Sequence, residues 1–176
     1  MRLRSVPFFL VLIAALPAAA ASKHRAAPAA EAPSGAKPLG KFDEWTAVTR
    51  DENGRTVCYA FAYPTASAPR VAGRGRPVLT VTERPTGRDA VAFGAGYAFA
   101  ANAETTLQVE QTALPFYTAG RFAFARDGAA AVAAIRKGRQ ATMRGPAPRG
   151  VQVTDTFGLR GFDQAYAAVI KSCPPR

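Results

Sequence analysis

Between Glu44 and Phe157 short β-favouring runs follow one another, each closed by turn residues, and this rhythm restricts the chain to mainly β architectures. Glu44-Trp-Thr-Ala-Val-Thr49 is the first run, ended by the turn sequence Asp51-Glu-Asn-Gly54. Thr56-Val-Cys-Tyr-Ala-Phe-Ala-Tyr63 is the second. Its period of two places Val57, Tyr59, Phe61 and Tyr63 on one face and Cys58, Ala60 and Ala62 on the other. After a Gly/Arg-rich loop at residues 70–76, Val78-Leu-Thr-Val-Thr-Glu83 turns Leu79 and Val81 inward and Thr80 and Thr82 outward. Further strands are expected at 90–99, 105–111, 115–118, 121–125, 140–144 and 151–157. Many short strands with little helix predict a β-sandwich or barrel-like domain.

Two helices interrupt the pattern. Asp127 is the expected N-cap of Gly128-Ala-Ala-Ala-Val-Ala-Ala-Ile-Arg-Lys137, a short helix with Arg136 and Lys137 in its last turn and Gly138 just beyond. The second is C-terminal and amphipathic, from Gly161 to Cys173. Phe162, Ala165, Tyr166, Val169, Ile170 and Cys173 form one apolar stripe, Asp163 suits the positive N-terminal end, and Pro174 and Pro175 stop the helix. Such a stripe predicts docking on the sheet.

The N-terminus carries an export signature. Met1-Arg-Leu-Arg4 is basic, Phe8-Phe-Leu-Val-Leu-Ile-Ala-Ala-Leu16 is apolar, and Pro17 with the alanines at 18–21 supplies small residues for cleavage. That order predicts a secretory signal peptide over residues 1–21. The apolar stretch is shorter than the about 20 residues that a membrane span requires. Removing it leaves 21 basic and 12 acidic residues, a net charge of +9 against +11 for the whole chain. Residues 22–40 are Ala/Pro-rich, lack a large apolar residue before Leu39, and are expected to be a disordered tether. A single domain is then expected over residues 41–176, in a periplasmic, secreted or outer-envelope protein with no transmembrane segment in its mature form.

The chain has only two cysteines. In an exported protein, Cys58 on a strand and Cys173 on a buried helical stripe are expected to form a disulfide; two separately buried thiols are the alternative. The single histidine, His24, falls in the tether, so the domain lacks the imidazole that Ser-His-Asp or Cys-His catalysis requires. Metal sites built on His or paired Cys fail for the same reason, leaving only an all-oxygen Ca²⁺ site. Glu83, Asp89, Glu104, Glu110, Asp155 and Asp163 are the acids that a glycan hydrolase would draw on, and their spacing singles out no pair. Gly73-Arg-Gly75 and Gly94-Ala-Gly96 lack the context of a phosphate loop and are taken as turns. Neither enzymatic activity nor a cofactor is expected.

The densest cationic stretch is Arg136, Lys137, Arg139, Arg144, Arg149 and Arg160, opposed locally by Asp155 alone. A hairpin through Gly145-Pro-Ala-Pro-Arg-Gly150 would flank its turn with Arg144 and Arg149. Composition alone favours a solvated, arginine-biased surface. The other reading is an anion-binding surface for an envelope glycolipid, an acidic glycan or a host-cell surface protein. Nucleic acid is not expected, because export separates the chain from it and no basic-aromatic RNA motif is present.

Phe42-Asp-Glu-Trp45, Val57-Cys-Tyr-Ala60, Gly73-Arg-Gly75 ahead of Pro77-Val-Leu-Thr-Val-Thr82, Arg136-Lys-Gly138, Arg149-Gly150, and Asp155-Thr-Phe-Gly-Leu-Arg-Gly-Phe162 with residues 168–173 together resemble the invasion-associated locus B family. The resemblance spans residues 42–173. It implies a small exported bacterial protein, mainly of alphaproteobacteria, with a β-rich fold, a role in the envelope or in host-cell invasion and virulence, and no established catalytic site. Further cysteine pairs found in some members are absent here, so Cys58 and Cys173 alone carry over. The functional expectation is a non-enzymatic envelope protein that binds an envelope or host-cell component. A periplasmic envelope-maintenance or folding factor with no host role is the alternative.

Overall fold

A computed structural model describes residues 35–175 of the chain. The signal peptide expected at 1–21 and the expected tether up to residue 34 lie outside the described residues. Eleven strands and two helices follow in the order β1 (Lys37–Phe42), β2 (Trp45–Glu52), β3 (Arg55–Ala62), β4 (Ala66–Ala68), β5 (Val78–Arg84), β6 (Gly87–Gly94), β7 (Glu104–Val109), β8 (Thr112–Ala119), β9 (Phe122–Ala125), α1 (Gly128–Lys137), β10 (Gln140–Pro146), β11 (Gln152–Gly158) and α2 (Phe162–Ser172). All strands join one antiparallel sheet in the order β1-β2-β3-β5-β6-β9-β8-β7-β10-β11-β4.

The sheet curls until its ends approach each other. Glu44 N donates to Arg160 O at 3.3 Å, and the Trp45 indole Nε1 donates to Gly158 O at 3.1 Å. Phe93 on β6 and Phe157 on β11 meet edge-on across the interior at 6.2 Å. The result is an open, barrel-like β domain with two helices, the mainly β architecture that the run of short strands implies.

Local sequence explains most of the hairpins. Asn53 and Gly54 both have positive φ (56° and 75°), as a two-residue turn between twisted strands requires. Asp51 Oδ1 adds a 2.8 Å bond from Gly54 N. On β3 the small residues Cys58, Ala60 and Ala62 face the main core, while Phe61 is buried on the opposite face between Tyr59 and Tyr63.

Two strands lie wholly outside the expected runs, and the run expected at 90–99 is shifted to Gly87–Gly94. β1 begins at Lys37, so residues 37–40, assigned to the tether by composition, pair with β2. Pro38 is tolerated because β1 is an edge strand, and the register shifts between Pro38 and Gly40. β4 is only Ala66-Ser-Ala68, too short to carry a pattern, and closes the other edge against β11.

Both helices dock as their stripes require. Asp127 caps α1, accepting from Ala130 N at 2.9 Å, and Ala131, Val132 and Ile135 are buried. Helix α2 buries Phe162, Ala165 and Val169, with Phe162 edge-on to Trp45 at 4.7 Å. Gly161 opens α2 at φ +88°, where an added Cβ would collide with the Phe42 carbonyl oxygen. The chain leaves α2 at Cys173, whose sulfur is bonded to Cys58 with a Cα–Cα distance of 5.9 Å.

Candidate anion-binding cleft

Three turns converge at one end of the sheet. The loop from β4 to β5 carries Arg70 and Arg74, the β8–β9 turn carries Arg121, and a single 3-10 turn at Pro148–Gly150 carries Arg149. Together they line a cleft of about 520 Å³ with Tyr97 and Val151 among its apolar walls. Among the described residues no acidic side chain lines it.

Arg74 forms the base of the cleft and is committed to structure. Its Nη1 and Nη2 donate to the two carboxylate oxygens of Asp155 at 2.9 and 2.6 Å, and its Nε donates to Ala95 O at 2.7 Å. Ser67 Oγ donates to the same carboxylate at 2.5 Å. Arg74 and Asp155 expose only 7% and 2% of their side chains, so this pair is a desolvated strut. The guanidinium lies 5.0 Å from the centre of the Tyr97 ring. Burial raises the Tyr97 phenol above its ordinary range, opposed in part by Arg74.

Backbone approach fixes the cleft wall. Gly75 N donates to Gly96 O at 2.9 Å. Gly96 has φ +79°, and a Cβ there would strike the Gly75 carbonyl, so no other residue fits without moving the loop.

Arg70, Arg121 and Arg149 differ from Arg74. All three are exposed, and none forms an ion pair among the described residues. Arg121 spends one nitrogen on Gly96 O at 2.7 Å. Arg149 sits at φ +65°, a left-handed conformation that costs a non-glycine residue roughly 1 kcal/mol. Strain of this kind concentrates at functional turns.

The six cations singled out along the sequence do not form one patch. The hairpin of β10 and β11 pairs as expected, Arg144 opposite Thr154. Arg136 is bound to Asp163 at 2.8 Å and Arg160 lies 3.6 Å from Asp43. Arg139 presents its backbone N–H to Glu110. Lys137 and Arg144 are exposed but stand toward opposite ends of β10. Only Arg149 reaches the cleft. Proximity in sequence grouped these residues, whereas tertiary pairing neutralises some and the hairpin separates others. Arg70 and Arg121 were missed because they are distant in sequence from Arg149; the available signal was the density of arginine between Pro69 and Pro77, read only as a loop.

Among the six acids considered for hydrolysis, only Glu83 and Asp89 are adjacent, with Asp89 N donating to Glu83 Oε1 at 2.9 Å. Glu83 is fully buried, and its Oε2 lies 2.6 Å from Arg88 Nε as an ion pair without hydrogen-bond alignment. Asp89 accepts from Tyr166 Oη at 2.5 Å, and Arg88 Nη1 donates to Cys173 O at 2.8 Å, so the group ties α2 to β6. Burial, then the bond to Asp89, raises the Tyr166 phenol far above its usual range. Among the described residues no cluster of three metal-ligating side chains occurs.

Burial pushes the Glu83 carboxyl up to about 6, against the opposing pull of the Asp89 N–H and of Arg88. The folded protein therefore keeps a proton that the unfolded chain loses between its ordinary value of 4.5 and about 6. Stability from this group is complete below that window and is lost as pH rises through it. From pH 4 to pH 7, wild type should lose about 1–2 kcal/mol of unfolding stability relative to Glu83→Gln, as read by urea unfolding of both proteins. An identical pH dependence in both proteins would refute the assignment.

Residues 45–170 match the family described as invasion associated locus B (IalB) protein. The chain belongs to the IalB family. The crystal structure of invasion associated protein b from Bartonella henselae has the same fold, with a TM-score of 0.55 and 18% identity over 76% of this chain and 95% of that one. No curated protein shows a significant match. The IalB match covers the strands that build the cleft, including β4, β11 and both arginine-bearing turns between β8 and β11. Among the described residues no helix is long and apolar enough to cross a membrane.

Proposed function

We propose that this IalB-family protein is exported by a bacterium and acts in the envelope as a non-enzymatic binding protein, taking an anionic group of an envelope or host-cell component into the arginine cleft and contributing to host-cell invasion. The observation that carries the reading is the convergence of Arg70, Arg121 and Arg149, three exposed guanidinium groups that have no ion-pair partner among the described residues, on a cleft that none of the described acids lines. Guanidinium groups bind phosphate, sulfate and carboxylate through paired N–H donors, which favours this site over a diffuse basic surface. The signal-like N-terminus and the Cys58–Cys173 disulfide support export. Family membership, and the invasion-associated name of the Bartonella henselae relative, support the host-directed role.

The test compares two charge reversals of equal size on the purified, oxidised protein. Arg70→Glu with Arg149→Glu should weaken binding to anionic lipid vesicles about tenfold or more, as expected for lost charge-assisted bonds. Lys137→Glu with Arg144→Glu, outside the cleft, should change it little. Equal losses, both vanishing in modest salt, would assign the binding to net charge and overturn the site.

A further inference from the structure

The outer face of β8 and β9, next to the cleft, carries a strip of aromatic rings. Strand alternation buries Ala123 and turns Phe122 and Phe124 outward, and Tyr117 is the direct cross-strand partner of Phe124. Tyr117 and Phe124 are stacked at 5.5 Å, and Phe122 follows at 6.3 Å. Phe122 is 49% exposed and Tyr117 45%. Phe122 has a structural role, because its ring covers the backbone of its partner Gly94. That role uses one ring and leaves the exposed Tyr117, stacked on the half-buried Phe124, unexplained.

Arginines stand at both ends of the strip. Arg121, a cleft residue, immediately precedes Phe122. At the far end Arg126 lies 5.9 Å from the Tyr117 ring centre. There a hollow of about 400 Å³ opens, with Arg88 and Asp89 on one wall and Tyr117, Phe124 and small or aliphatic residues making up the rest. An acyl chain or an apolar protein surface laid along the strip would desolvate Arg121, which has no ion pair among the described residues, and the exposed Arg126–Glu104 pair, at a cost. A saccharide does not. The C–H faces of its rings pack on the electron-rich faces of aromatic side chains, and its hydroxyl and anionic groups match a border of guanidinium and carboxylate.

We infer that the ligand is an acidic saccharide, its anionic group held in the cleft of Arg70, Arg121 and Arg149 and its sugar rings laid along Phe122, Phe124 and Tyr117. The inference rests on the cleft reading above and adds the chemical class of the ligand. It makes the strip the part that separates a saccharide from any other polyanion.

The test uses the oxidised protein and two probes, a sulfated oligosaccharide and inorganic polyphosphate of matched charge. Tyr117→Leu with Phe122→Leu keeps apolar bulk and removes the rings. It should weaken the oligosaccharide about tenfold, the worth of two ring contacts, and leave polyphosphate unchanged. Unfolding in urea checks that the variant is folded; if it is not, Tyr117→Leu alone, which leaves Phe122 over Gly94, carries the comparison. Equal affinities of the folded variant and wild type for the oligosaccharide, or equal losses for both probes, would overturn the saccharide assignment while leaving the cleft intact. Failure of Arg70→Glu with Arg149→Glu to weaken either probe, or no binding of either probe to wild type, would instead bring down the cleft itself and the inference with it.

Discussion

Replacing Cys58 and Cys173 together by alanine is expected to lower unfolding stability by about 3–5 kcal/mol. The bond joins residues 115 apart, so it encloses most of the described chain. In the chain-entropy description a loop of that size restricts the unfolded ensemble by close to the upper end of the range. The folded state should change little without the bond. Arg88 holds Cys173 O, Tyr166 donates to Asp89 on β6, and Phe162 remains seated on Trp45, so α2 has three anchors besides the sulfur. The loss therefore falls on the unfolded side of the equilibrium, with the midpoint of urea unfolding shifting more than the native spectrum. A double variant within about 1 kcal/mol of the oxidised wild type would show that the bond constrains little. Reduction of the wild-type protein should reproduce the variant's midpoint, because both remove the same constraint.

How far the sequence foretold this molecule depends on the range of the interaction involved. Helix α2 was the most legible element: of its expected stripe Phe162, Ala165, Val169 and Cys173 are buried, while Tyr166 and Ile170 are half-buried at its margin. The alternation in β5 likewise placed Leu79 and Val81 in the core. On β3 alternation predicted the faces correctly, but not that Val57 and Phe61 would be buried along with Cys58, Ala60 and Ala62. β1 and β4 were illegible because an edge strand with a proline and a three-residue Ala-Ser-Ala strand owe their form to a neighbour rather than to propensity. The cleft failed for a related reason. β4 pairs with β11, across 86 or more positions of sequence, and that crossover brings the Arg70 loop to the Arg149 turn. No run of charges along the chain encodes it.

Removing the carboxylate of Asp155 is expected to be among the most disruptive single changes. Asp155→Ala leaves the Arg74 guanidinium, only 7% exposed, without its counter-charge and deprives Ser67 of its acceptor. Breaking a buried pair from one side costs about 3–5 kcal/mol, most of it the desolvation of the remaining charge rather than the worth of the pair. The cost should therefore be recoverable. Arg74→Met combined with Asp155→Leu removes both charges at similar bulk and should regain most of the loss, since an apolar replacement of a buried pair is often neutral. Urea unfolding of both single variants and the double closes the cycle. Additive losses would mean that the two residues stabilise the fold independently. Binding separates what the pair does for the fold from what it does for the site: Arg74 crosses from the β4–β5 loop to Ala95 O and to β11. A double variant that regains stability but holds the Arg70 loop less firmly should bind the anionic probe more weakly than wild type. The charged strut, a costly element for stability alone, would then be retained because it sets the spacing of Arg70 and Arg149 across the cleft.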